Sequence, residues 1–171
     1  MALIRSLNKI HPFYDESCWF AENAVIIGDV KMGKDCTVWY HAVIRGDVNS
    51  IVIGNQVNIQ DHAMIHCTYK QAATSIGDSV SIGHRAIIHG CTLENNSLIG
   101  MGAIVMDHAV VGENSIVAAG AVVTEHTTVE SGFIYAGIPA KKIKPVGDRA
   151  EMISRTAGNY VEYAKWYKHD Q

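Results

Sequence analysis

One apolar residue in every six restricts this chain more than any other feature. Ile99, Val105, Val111, Val117, Val123 and Val129 recur at that step. Four places beyond the first five come the small or short residues Ala103, Ala109, Ser115, Ala121 and Thr127, and Gly100 and Gly112 directly follow two of the aliphatic positions. The same register runs backwards through Ile76, Ile82 and Ile88, with a five-residue step to Leu93, then through Ile53, Ile59 and Ile65, and through Met32, Val38 and Ile44. Small partners there include Cys36, Ala42, Val57, Ala63, Val80 and Ala86. Steps lengthen only at 48–52 and 67–75, which read as a bulge and a short protruding loop. A period of six fits neither the 3.6-residue helix nor a simple hairpin. It fits one short strand and one turn per step, with three steps closing a triangular coil and successive coils stacking about 4.8 Å apart. The aliphatic residue points inward and the small residue occupies the tight turn. Parallel crossovers are ordinarily right-handed, and the period alone does not fix the hand.

The repeat stops near Tyr135. Beyond Pro139 and Pro145 the spacing becomes helical, with Ile153, Ala157, Val161 and Ala164 on one face and Asp148 and Glu151 spaced as a capping box. The expected division is a β-helix over residues 1–146 and a segment over 147–171 whose helix, about 148–168, packs along the prism. Its aromatic residues Tyr160, Tyr163, Trp166 and Tyr167 are expected against the same chain in preference to a neighbouring one. A length of 171 residues suits one well-buried domain. With 48% hydrophobic residues and a formal charge of -3, the composition is that of a globular and not a disordered chain, and nucleic-acid binding is not supported, since no Lys/Arg stripe is present. Lys141, Lys142 and Lys144 read as a solvated turn. There is no apolar run of about eighteen residues to cross a bilayer, and Met1–Ile10 is too short and polar for a signal peptide. Cys18, Cys36, Cys67 and Cys91 form no paired motif and read as free thiols, so the expected location is the cytoplasm.

Counting steps converts sequence positions into faces of the prism. Ile44, Ile65 and Ile88 fall on one face, one coil above another, so Arg45, His66 and His89 form a column on its outside. Ile59 and Ile82 share a different face, which puts Asp61 and His84 together two places beyond them. One chain cannot easily bring His84 onto an ion held by His66 and His89, but a threefold assembly that docks one face on the next can. The prediction is a homotrimer with a metal between subunits, bound by His66 and His89 of one chain and His84 of another. Three neutral imidazoles with an open fourth position form the ligand set of a catalytic zinc centre, where hydroxide is available near pH 7. Arg45 and Asp61, of opposite charge, fall on the faces that would meet, and Gln60 stands beside them to orient solvent or substrate. His62 and His66 are four apart, but in strand-and-turn structure that spacing makes no pair. His108 and His126 stack without a third partner and read as surface turn residues. His11, His41 and His169 have no constellation.

The segments Ile44-Arg45-Gly46-Asp47, Asn58-Ile59-Gln60-Asp61-His62, Ile82-Gly83-His84, Ile88-His89-Gly90-Cys91 and Tyr135-Ala136-Gly137-Ile138-Pro139-Ala140-Lys141 resemble γ-class carbonic anhydrases, over about residues 11–145. The resemblance implies an all-β fold, a left-handed parallel β-helix of hexapeptide repeats with a C-terminal α-helix. It implies a trimer with Zn2+, or another divalent metal such as Fe2+ or Co2+, at each interface. Carried over by position, His66, His84 and His89 match the ligands, and Arg45 and Asp61 an intersubunit ion pair. Asp47 matches the acid of the Arg-Gly-Asp segment, Gln60 and Asn58 match residues near the metal-bound water, and Tyr135 matches by its closing segment. The implied reaction is attack of zinc-bound hydroxide on carbon dioxide to give bicarbonate. The best-studied members carry proton-transferring glutamates where this chain has Val48 and the carboxylate-free loop Cys67–Thr74, which predicts slow turnover. A hexapeptide acyltransferase or an acyl-CoA thioesterase is the alternative, with an acyl-CoA as the small-molecule substrate.

Overall fold

The computed structural model describes residues 1–169, with the side chain of His169 outside the description; the last two positions of the expected 147–171 segment also lie outside the described residues. Strands of mostly two or three residues stack in parallel register as a left-handed β-helix, followed by a 3-10 turn, Gly147–Arg149, and helix α1, Ala150–His169. One face shows the stacking plainly: Trp19–Phe20, Thr37–Val38, Asn58–Ile59, Ser81–Ile82, Leu98–Ile99, Ile116–Val117 and Phe133–Ala136 lie in that order. The other two faces join because Val25–Met32 and Val43–Ile53 run unbroken around a corner. Between these two strands the register slips, Gly28 facing Gly46 but Val30 facing Ile51, so Asp47–Ser50 is the bulge expected from the lengthened step. The other long step, at 67–75, forms a turn closed by reciprocal Thr68–Ala72 backbone pairing.

Each six-residue step has one physical logic. The aliphatic residue lies in the core: Ile44, Ile59, Ile65, Ile82, Ile88, Ile99, Val105, Val117 and Val123 are each 0% exposed. Burying an Ile or Val side chain of this kind contributes about 1.5–3 kcal/mol relative to leaving it in water. The small residue does not occupy the turn conformation, as the spacing suggested. Ala42, Ala86, Ala103 and Ala109 are buried inside the corner, and the residue one place earlier makes the turn. His41, His62, Ser79, Arg85, Asn96, His108, Asn114 and His126 all have φ between 53° and 60°. This is the left-handed region, where Asn, Asp and His are enriched among non-glycine residues. Four of the nine histidines are therefore corner residues.

Helix α1 buries Ile153, Ala157 and Ala164. Two of its rings pack on the prism, Tyr160 5.3 Å from Trp39 and Tyr167 5.3 Å from Trp19, centroid to centroid, whereas Trp166 is 63% exposed and meets Tyr163 of its own helix. The capping box does not form. Asp148 sits inside the 3-10 turn, whose first flanking residue, Val146, has no side-chain cap. At the end of the stack Lys141–Pro145 returns antiparallel along Phe133–Ala136 and closes that face with its lysines exposed. All four cysteines are free.

Candidate metal centre

The column expected from step counting is present. Ile65 stands over Ile44, and Ile88 and His89 stand over Ile65 and His66 in register. Their imidazoles face each other, His66 Nδ1 3.1 Å from His89 Nε2, with ring centroids 5.1 Å apart and planes tilted by 55°. Each outer nitrogen meets an aspartate. His66 Nε2–H donates to Asp47 Oδ1 at 2.9 Å, and His89 Nδ1–H donates to Asp107 Oδ1 at 2.6 Å. Arg45 bonds the second oxygen of Asp47, and the Thr68 hydroxyl donates to the second oxygen of Asp107. Two hydrogen-bonded arms thus meet on one face, Arg45–Asp47–His66 from one side and Thr68–Asp107–His89 from the other, with the two imidazoles in contact between them.

The two carboxylates fix the proton positions. Burial pushes Asp47 up, but bonds from His66 and Arg45 outweigh it and hold its carboxyl below the ordinary value. Burial likewise raises Asp107, and the bonds from Thr68 and His89 outweigh it and bring it below the ordinary value. Both are ionised near neutral pH and act only as acceptors, so the imidazole nitrogens that face them carry the hydrogens. In the neutral rings the inner nitrogens then present lone pairs to each other at 3.1 Å. That contact is repulsive unless a proton or a cation lies between them. Bonds of about 2.0–2.1 Å in a tetrahedral zinc centre separate neighbouring donors by about 3.3 Å, so the donor pair fits such an ion. Carboxylates on the outer nitrogens are also the usual support of metal-binding histidines.

His84 lies on the neighbouring face with Asp61, as the repeat predicted, its Nδ1 2.8 Å from Asp61 Oδ2. No group of three or more His, Cys, Asp or Glu side chains converges on one point among the described residues. Gln60 is 7% exposed and committed. Its Oε1 accepts the backbone N–H of His84 at 3.2 Å and its Nε2 donates to Asn58 Oδ1 at 3.0 Å, while Asn58 donates in turn to Ser81. This chain of amides sets the height of His84. Gly83 is required next to it, since a Cβ there would lie 2.8 Å from the Ile99 carbonyl oxygen and the Met101 nitrogen of the coil above. Within the chain Arg45 pairs with Asp47, and Asp61 with His84. Tyr135 is not in the cluster. It stands over Val117 in the inward column, 7% exposed, three coils beyond Ile82, and its hydroxyl accepts the Glu130 N–H. Asp107 was missed by sequence reasoning; the signal available was its place two residues beyond Val105, directly above the coil of His89. Beside His84 an apolar cavity of about 340 Å³ runs up the face past Leu98, Met101, Ile116 and Ala118.

Fold and donors together define a class: a hexapeptide-repeat β-helix with aspartate-supported imidazoles on its outer faces. Residues 90–125 match the family model described as bacterial transferase hexapeptide (six repeats). A carbonic anhydrase of Geobacillus kaustophilus is 44% identical over 153 residues, covering 89% of this chain and 84% of that protein. The mitochondrial γ carbonic anhydrase 2 of Arabidopsis thaliana is 41% identical over 160 residues, covering 90% of this chain, and the chain spans only 58% of that longer relative. A hexapeptide transferase family protein from Anaplasma phagocytophilum has the same fold, with a TM-score of 0.93, 40% identity and coverage of 96% and 98%. The chain belongs to the γ-class carbonic anhydrase-like family of hexapeptide-repeat proteins.

Proposed function

We propose that the protein is a metal-dependent hydratase that converts carbon dioxide to bicarbonate as a homotrimer, with His66 and His89 of one subunit and His84 of the next holding Zn2+, or Fe2+ or Co2+ in its place. The observation that carries this reading is the His66–His89 contact, where two bare nitrogens meet at 3.1 Å while both outer nitrogens are given to aspartates. His84 is the remaining donor, and its 43% exposed side chain is available to a neighbouring copy. When bound, the cation supplies the Lewis acidity that makes hydroxide available near neutral pH. The chain supplies the rest. Asp47, Asp61 and Asp107 orient the three rings, and Gln60 and Asn58 fix the position of His84. In the trimer Arg45 and Asp61 meet across the interface. The exported proton finds no carboxylate at Val48 or in the 67–74 loop, so turnover is slow. The free thiols suit a cytoplasmic setting.

Purified protein loaded with zinc should carry about one metal per subunit, run as a trimer in solution, and accelerate carbon dioxide hydration above buffer in stopped flow. A monomer without metal, or a metal-loaded trimer with no rate above buffer, overturns the reading. A second reading is favoured by the apolar cavity that opens beside His84. It would take the acyl chain of an acyl-CoA for transfer or thioester hydrolysis. Saturable CoA binding by metal-free protein would select it.

A further inference from the structure

Resting on the metal-centre reading above, the geometry points to Thr68 and Asp107 as a positioning lock: the 67–74 loop, lacking a carboxylate of its own, clamps Asp107 so that His89 is held in the Nδ1–H form with Nε2 aimed at the cation. Neither residue touches the place where a cation would sit; both act through His89.

Three features converge on this lock. Asp107 reaches His89 from the next coil, and its other oxygen is bound by the Thr68 hydroxyl, so the carboxylate cannot turn without losing both partners. The side chain of Asp107 is only 16% exposed, so water competes weakly for either bond. The space it occupies is kept open by Gly90. A Cβ there would lie 2.3 Å from Asp107 Oδ1 and 2.7 Å from the Ala72 side chain of the loop, and Gly90 has φ of 54°, where a side chain is strained in any case. The loop is itself anchored. Thr68 and Ala72 pair through their backbones, Asn49 donates to the Thr68 carbonyl, and the buried Thr74 hydroxyl donates to the His66 carbonyl while accepting the Gly90 N–H. Thr74 therefore ties the loop to both histidine coils, and Thr68 carries that rigidity to Asp107. His66 has a matching support in Arg45 and Asp47, but the His84 ring meets Asp61, whose side chain is 31% exposed.

The test uses the full-length protein and Zn2+, with affinity read by competition with a chelator and the His89 tautomer read in metal-free protein by imidazole 15N–1H correlation. Removing a support of a metal-binding histidine typically costs about 10–100-fold in affinity. We expect Asp107→Asn to weaken zinc binding within that range and to abolish the Nδ1–H signature of His89. Thr68→Val should weaken binding by a smaller factor, and Thr68→Ser should restore it. The melting temperature of metal-free Thr68→Val should stay close to that of the parent, which separates positioning from folding. The inference is overturned if metal-free parent protein holds His89 as the Nε2–H form, or if Asp107→Asn binds zinc as tightly as the parent. A parent that binds no zinc while showing the Nδ1–H form, lost in Asp107→Asn, removes the metal reading and leaves the lock standing.

Discussion

Three pairs of histidines stack across neighbouring coils, and they differ in what surrounds them. His41–His62 and His108–His126 lie with ring centroids 4.8 and 4.9 Å apart and planes within 12° and 11° of parallel. His66–His89 has almost the same spacing, 5.1 Å, yet its rings tilt by 55° and bring two nitrogens to 3.1 Å. The coil stack sets the spacing in all three, since any side chain repeated from one coil to the next recurs near the strand separation. Aspartates make the difference. Asp47 and Asp107 each take one outer nitrogen, so the rings rotate and present their other nitrogens to each other. The parallel pairs occupy left-handed corners, where the backbone selects the residue type; the tilted pair lies on a strand, where no such demand exists. A histidine in this fold acquires chemistry from the carboxylate beside it.

The sharpest way to break this comparison is to delete one ring from each kind of pair. His89→Ala, or His84→Ala, should reduce zinc content from about one per subunit to background by elemental analysis, whereas His126→Ala should load as the parent does. Equal loading in all three would mean that the tilted pair is no more a ligand than the corner pairs. Next in size is the support beneath His89. Ile88 is fully buried, and Ile88→Ala should cost about 2–5 kcal/mol in urea unfolding, the usual loss for a large aliphatic side chain in a closed core. A smaller effect is expected at the corners. His126 has φ of 59°, so His126→Gly should be neutral or stabilising by up to about 1 kcal/mol, and His126→Val should destabilise by about 1–2 kcal/mol, both with zinc content unchanged. The smallest effect sharpens the contrast by thiol labelling. Burial pushes Cys91, two residues beyond His89, up to about 12, so it stays a thiol throughout the neutral range and becomes reactive only as pH nears that value. Cys18 has its thiol held below the ordinary value by a hydrogen bond with Cys36. At pH 8 mass spectrometry should find Cys18 alkylated well before Cys91.

Much of the fold was legible because six-residue periodicity is a statement about geometry. Ile65 over Ile44 and His89 over His66 followed from counting, and so did the placing of His84 with Asp61 on another face. What escaped had a local cause. The register slip at Asp47–Ser50 lets the chain round a corner without a break, so Asp47 lies beside His66 and takes the Arg45 side chain within its own subunit. Asp107 escaped because its place two residues beyond Val105 sets its coil but not its choice of His89 as partner. The turn was assigned to the small residue, whereas Ala42 or Ala86 fills the inner corner and His41 or Arg85 supplies the positive φ. Sequence period locates a side chain on a face; it does not say which neighbour the side chain chooses.

The lysine-bearing strand Lys141–Pro145 has a consequence for the size of the molecule. A stack of parallel coils offers its last strand as a template on which another chain can continue growing. Here the template is occupied by a strand running the other way, and its exposed rim carries Lys141 and Lys144, while Lys142 pairs with Glu130. Positive charge on that rim repels an identical end, so on this face end-to-end growth into a fibre is blocked and the prism keeps a finite length.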